Sequence, residues 1–242
     1  MSTDLSGQTW WIVGASSGLG AALAEALDKR GCRLILSARR EEALAEIAGK
    51  CRDATVLPMD VSDPASIHAA VEKAGAPDAL LYSVGLYDPM SAKDWDAEQA
   101  ETMVDANFLG ALRLIGRALP AMLARRSGRL VLVGSLSAFR GLPGAIGYSA
   151  PKAALLSLAE SMRSDLRGTD LKVQIANPGF IRTRLTDKND FSMPQIMEPE
   201  EAAAQVMRLI DSGRFRRDFP APFAWLFRWS ALIPYRLWDR LM

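Results

Sequence analysis

The sequence predicts an open, doubly wound α/β fold: a parallel sheet covered by helices on both faces, three layers in one domain. Three observations lead there. Short apolar runs alternate with longer helical patterns along most of the chain. Those runs are continuously apolar rather than alternating, as expected of strands buried on both faces. The 242 residues, 49% hydrophobic and 24% charged, supply a large core. Strand–helix alternation makes the sheet parallel with right-handed crossovers. In such sheets ligands bind beyond the carboxyl ends of the strands, so those ends carry the functional reading.

The first run, TWWIVG, leads into GASSGLG (residues 14–20) and a helix over 18–30. Gly14, Gly18 and Gly20 keep a GxxxGxG spacing. Glycines let the backbone turn tightly and approach a pyrophosphate, while the helix start offers unpaired N–H groups and a positive dipole end. No GKS or GKT follows, which argues against a P-loop; a plain Gly/Ser turn is the competing reading. The second run, RLILS, ends at Ser37-Ala38-Arg39-Arg40 before a helix over 40–50. An acid there would hold a ribose 2′-hydroxyl, whereas basic residues suit a 2′-phosphate. Two arginines opening a helix oppose its dipole, so Arg39 and Arg40 predict NADP(H) over NAD(H), with pairing to surface carboxylates as the alternative.

The third run, TVLPM, ends at Asp60-Val61 before a helix over 64–74. The fourth, DALLYS, runs into Tyr82-Ser83-Val84-Gly85, and one helical pattern then spans about 94–126. The fifth, RLVLVG, stops at Ser135, and the helix over 147–167 carries Tyr148 and Lys152 near its start. These two stand four residues apart on one helix face, and Pro151 before Lys152 is tolerable in a first turn, where its missing N–H matters least. A phenol with a pKa near 10 is a poor base at neutral pH, and a neighbouring ammonium is expected to lower it. An incidental Tyr and Lys is the competing reading. The sixth run, KVQIAN, continues into NPGFIRT, and a polar loop over 184–199 reads as a mobile lid.

Taken together, GxxxGxG after the first strand, Asn107 in NFLG, Ser135 thirteen residues before Tyr148, YxxxK and NPG resemble the short-chain dehydrogenase/reductase family over about residues 8–185. The resemblance implies a Rossmann fold and reversible hydride transfer between NAD(P)H and a carbonyl or alcohol. It implies Tyr148 as proton donor or acceptor, and Lys152 as the group that depresses its pKa and holds the nicotinamide ribose. It also implies Ser135 as the hydroxyl that orients the carbonyl, and Asn107 as a helix residue helping to hold a relay water. The implied cofactor contacts are Gly14, Ser16, Ser17, Gly18, Leu19, Gly20, Arg39, Arg40, Asp60, Val61, Ser83, Gly85, Pro178, Gly179, Ile181 and Thr183, beside Tyr148 and Lys152. Two positions depart from the family pattern: Val13 replaces a Thr, and Tyr82-Ser83-Val84-Gly85 replaces NNAG. Each change removes side-chain hydrogen bonds contributing around 1 kcal/mol. The resemblance also implies a homodimer or homotetramer built through the helices near 100–126 and 147–167. A catalytically silent NAD(P)-binding sensor on the same fold is the rival function.

Residues 213–242, beyond a core of about 8–212, change character: eight of the 18 aromatics and six arginines against two aspartates give a local charge of +4, leaving −3 elsewhere. This aromatic-rich extension admits three readings: packing on the chain's own cleft, an oligomer interface, or a peripheral membrane contact, the last weakened by Pro220, Pro222 and Pro234. With Leu86, Phe139, Leu142, Pro143 and Phe180 it suggests an apolar pocket for a hydrophobic or lipid-like small-molecule carbonyl or alcohol. The net charge of +1 gives no sign of nucleic acid. Cys32 and Cys51 read as free thiols in a reducing compartment, and His68, the single histidine, reads as a surface or helix-packing residue. No metal site is expected. The polar start MSTDLSGQ and the absence of a long apolar run point to the cytoplasm.

Overall fold

The computed structural model describes residues 3–188 and 192–241. Its sheet has seven strands: β1 (Thr9–Val13), β2 (Arg33–Ser37), β3 (Ala54–Val56), β4 (Ala79–Tyr82), β5 (Ser127–Val133), β6 (Asp170–Pro178) and β7 (Arg216–Phe219). All pair in parallel, in the order β3-β2-β1-β4-β5-β6-β7. Helices α1 (Gly18–Asp28), α2 (Glu41–Ala48) and α7 (Pro199–Ser212) cover one face. Helices α3 (Pro64–Ala74), α5 (Gly110–Arg125) and α6 (Ile146–Asp165) cover the other, with α4 (Ala97–Val104) packed beside α6. This is the doubly wound, three-layer Rossmann-like fold that the alternation of runs predicts.

Adjacent residues of β1 divide the core between the two layers, because successive strand side chains point to opposite faces. Trp10 and Ile12 pack with Leu23, Leu27, Val206 and Ile210, whereas Trp11 and Val13 pack with Ile67, Leu114 and Leu155. Both indoles are fully buried, each contributing at least the roughly 1.5–3 kcal/mol of a buried large apolar side chain. The Trp11 indole N–H donates to Ser37 Oγ at 2.8 Å, and that hydroxyl donates to the Leu57 carbonyl at 2.6 Å, so no polar group is left orphaned.

β1 and β4 are neighbours, yet their crossovers leave to opposite faces. That reversal opens a crevice beyond the strand ends, between Gly14 and Ser83. Gly14 has φ +91°, and a Cβ there would lie 2.8 Å from the Ser83 carbonyl carbon. Only glycine fits this crossing.

Four features differ from the sequence reading. The helical pattern over 94–126 is broken at a π turn, Asp105–Leu109, between α4 and α5. That turn sits over β4: the buried Tyr82 hydroxyl donates to the Ala106 carbonyl at 2.6 Å, and a Cβ on Gly110 would lie 2.8 Å from Tyr82 Oη. Pro151 falls in the second turn of α6 rather than the first, because α6 begins at Ile146; the helix accepts the lost N–H there. The third difference is β7, which lies within the segment set apart by composition. Its RRDF pattern is only partly buried, so an edge strand gave no apolar run to find. Beyond β7, α8 (Phe223–Arg228) and α9 (Tyr235–Leu241) fold back onto the domain. Phe227 and Trp238 are buried against Leu136 and each other. Finally, Phe139 lies under the Arg216 guanidinium at 5.1 Å rather than in a pocket. No described helix is long and apolar enough to cross a membrane.

Candidate active site

The crevice opens into a cleft of about 1160 Å³. It runs from the glycine turn at one end to Ser135, Tyr148 and the first residues of the C-terminal segment at the other. At the nucleotide end, Ser17 precedes α1 in extended conformation and Gly18 has φ +54°. An added Cβ on Gly20 would lie 2.0 Å from the Gly14 carbonyl oxygen. The turn therefore closes backbone on backbone and aims the α1 N–H groups into the cleft, the geometry an anionic pyrophosphate needs. Gly20→Ala must force this turn open, because its neighbour is backbone that cannot rotate away. The expected result is a loss of about 1–3 kcal/mol or more and of any thermal stabilisation by an added NAD(P) nucleotide, read by melting with and without it.

Arg39 and Arg40 line the same cleft at the end of β2. Both are exposed, and among the described residues neither joins an ion pair with a carboxylate. Asp60 and Val61 border the cleft after β3, and Ser83 and Gly85 after β4; Pro178, Gly179, Ile181 and Thr183 close it after β6. The glycine cradle, the two arginines without carboxylate partners and this ring of strand ends fit a nicotinamide adenine dinucleotide. The departure at Tyr82 has a compensating contact, since its hydroxyl ties β4 to the π turn below the cleft.

At the reactive end Lys152 is almost wholly buried. Its Nζ donates to the Val84 and Val133 carbonyls, at 3.1 Å each. An ammonium has three donors, so one remains for a group in the cleft. Tyr148 is half-buried, with Lys152 Nζ 5.6 Å from its ring centre and Tyr87 set edge-on at 5.4 Å. The Ser135 side chain acts on Tyr148 from within the same cleft and favours its phenolate form. Ser135 Oγ accepts from the Ser137 backbone N–H at 3.1 Å and from its hydroxyl at 3.0 Å, which orients it.

The expected depression of the Tyr148 pKa by Lys152 does not appear. Burial pushes the phenol up to about 12, against a lowering by the Ser135 side chain and a further rise from Tyr87. The same burial pushes Lys152 down to about 8. Taking either charged form out of water outweighs the attraction between them.

For Lys152 the sign of the linkage is fixed. Between a folded pKa of about 8 and the ordinary 10.5 the unfolded chain binds more protons, so stability rises with pH in that window. Relative to Lys152→Met, the wild-type protein is expected to gain about 2 kcal/mol from about pH 7.5 to about pH 9.5. Paired denaturant titrations at the two pH values measure it, and parallel profiles for the two proteins would contradict a buried cation.

Asn107 stands apart from the other three. It is fully buried outside the cleft lining. Its amide donates to the Leu86 carbonyl at 2.7 Å and the Met103 carbonyl at 2.8 Å, and its oxygen accepts from the Leu86 N–H at 3.1 Å. Both amide hydrogens are committed, so this side chain braces the segment that carries Tyr87.

Three residues of the cleft escaped sequence reasoning. Arg184 Nη2 donates to Ser17 Oγ at 2.9 Å, Lys188 Nζ donates to the Tyr87 carbonyl at 3.1 Å and pairs with Asp88, and Tyr87 faces Tyr148. The loop proposed as a lid thus spans both rims of the cleft, although its residues 189–191 lie outside the described residues. Spacing to the NPGFIRT motif was the available signal for Arg184; nothing local marked Tyr87. Elsewhere, His68 is exposed beside Glu72, and Cys32 and Cys51 are free.

The short chain dehydrogenase family model matches residues 8–192. An uncharacterized oxidoreductase of Myxococcus xanthus is 36% identical, over 98% of this chain and 96% of its own. A crystal structure of a short-chain dehydrogenase from Streptomyces avermitilis superposes with a TM-score of 0.84 at 26% identity, covering 98% of each chain. The actinorhodin polyketide ketoreductase with NADPH superposes with a TM-score of 0.76 at 27% identity, covering 88% of this chain and 93% of that one.

Proposed function

The chain belongs to the short-chain dehydrogenase/reductase family of oxidoreductases, and from that premise we propose that it reduces apolar ketones or aldehydes to alcohols with NADPH. The observation that carries this reading is one cleft lined by Ser135, Tyr148 and the buried Lys152 at one end and by the glycine cradle at the other. When bound, the nicotinamide supplies the hydride. Ser135, held by Ser137, orients the carbonyl oxygen. Tyr148 gives that oxygen its proton, which turns C=O into CH–OH. A phenol held near a pKa of 12 keeps its proton at neutral pH, which suits the reductive direction. Lys152, cationic below about pH 8, has one donor free for a ribose hydroxyl. Asn107 acts as a positioning residue through Leu86.

Arg39 and Arg40, without carboxylate partners, support NADPH over NADH, since a guanidinium fork matches a phosphate. The similar ketoreductase carries NADPH. The apolar character of the substrate rests on Leu86, Leu142, Pro143, Phe180, Phe223 and Phe227, which line the far end of the cleft. Two free thiols suit a reducing compartment such as the cytoplasm. NADPH consumption across aldehydes, ketones, steroids and acyl carbonyl compounds tests the reading. Turnover is expected for apolar carbonyls, and equal turnover of small polar sugars would remove the apolar part. Tight nucleotide binding with no turnover of any carbonyl would favour the silent sensor.

A further inference from the structure

Part of the C-terminal segment is buried, and its other side is not. On α8, Ala224 and Phe227 face inward while Trp225 is 60% exposed; Trp229, one turn on, is 58% exposed. Leu232 follows at 76% and Tyr235 at 77%. On α9, Trp238 is buried, whereas Leu237 and Leu241 are exposed one turn apart and so share one face. Arg236 and Arg240 form the row beside them, and Arg228 ends α8. Among the described residues none of these three arginines joins an ion pair. Over residues 221–241 the only exposed acid is Asp239. Solvent-exposed tryptophans and leucines interleaved with uncompensated arginines are costly to leave in water and match a lipid headgroup layer, where aromatic rings sit at the boundary and cations meet phosphates.

We propose that α8 and α9 form a docking surface for an anionic lipid bilayer, which the protein binds peripherally. Charge complementarity selects this occupant. A second copy placed on the face by two-fold symmetry would set this net-positive face, with Arg228, Arg236 and Arg240, against an identical net-positive face, a like-charge juxtaposition that disfavours self-association. The proline breaks at Pro222 and Pro234 do not oppose docking, because each short helix is anchored separately by Phe227 or Trp238. α8 also carries Phe223 and Phe227, which line the cleft from its inner side. A docked molecule thus holds its cleft about one helix diameter, roughly 10–12 Å, from the lipid surface.

The test is flotation of the full chain, without nucleotide or substrate, on vesicles of phosphatidylglycerol mixed with phosphatidylcholine and on phosphatidylcholine alone. Binding is therefore read independently of catalysis. Wild-type protein is expected to float with the anionic vesicles, with a blue shift of tryptophan emission, and to float poorly with the neutral ones. Replacing Arg228, Arg236 and Arg240 together by glutamine is expected to weaken binding roughly five-fold per arginine, about 100-fold in total. Trp225→Ser with Trp229→Ser is expected to abolish flotation while leaving NADPH oxidation with a water-soluble aldehyde unchanged. No flotation of the wild type on anionic vesicles overturns the proposal. So does a wild-type oligomer, seen by sedimentation, that the tryptophan pair dissociates while flotation persists; the face would then be a contact between copies.

Discussion

Tyr148→Phe is expected to lower the rate of NADPH-dependent carbonyl reduction by about 10²–10⁴-fold, the range that a positioned general acid contributes. The substitution removes one hydroxyl and little else. The ring keeps its edge-on contact with Tyr87 at 5.4 Å, and the Lys152 bonds to Val84 and Val133 do not involve it. NADPH affinity, read by fluorescence titration, is therefore expected to change little while turnover collapses. Ser135 keeps both of its contacts with Ser137, so its orientation survives. Turnover undiminished in this variant would mean that the proton comes from elsewhere, and the assignment of the Ser135–Tyr148 pair would fall with it.

The second large effect concerns nucleotide choice. Arg39→Ala combined with Arg40→Ala is expected to raise the KM for NADPH by about 100-fold or more, since hydrogen bonds to charged groups contribute roughly 1.5–3 kcal/mol each. The KM for NADH is expected to move little, because that nucleotide has no 2′-phosphate for the forks to meet. Neither arginine is part of an ion pair in the described structure, so the double variant leaves no carboxylate stranded and folding is expected to be intact. Equal losses for both nucleotides would show that the arginines serve the turn rather than the phosphate.

Much of the fold was legible because burial on both faces leaves a plain trace. TWWIV, RLILS, ALLY and RLVLV each read as a strand, and each occupies a place in the sheet. The seventh strand was not legible for the opposite reason: an edge needs only one covered side, and RRDF is mostly polar. The π turn at Asp105–Leu109 was hidden too, since one extra residue barely disturbs a helical repeat; its cause is a contact with Tyr82 far away in sequence. At the site, the motif residues at the strand ends line the cleft, because strand ends converge on one crevice, whereas Asn107 of the NFLG motif lies outside it. The electrostatics were harder. The spacing of Tyr148 and Lys152 put two groups on one helix face but said nothing of how dry that face is, and dryness sets both pKa values. Tyr87 and Arg184 come to the cleft through loops whose paths depend on tertiary contacts.

Arg140, which follows the Ser135 loop, donates to the carbonyls of Ser230 and Ile233 and lies between the rings of Tyr235 and Trp238. The loop beside the reacting centre is thereby tied to the chain's C-terminal segment. One guanidinium thus serves the wall of the cleft and the exposed C-terminal face together.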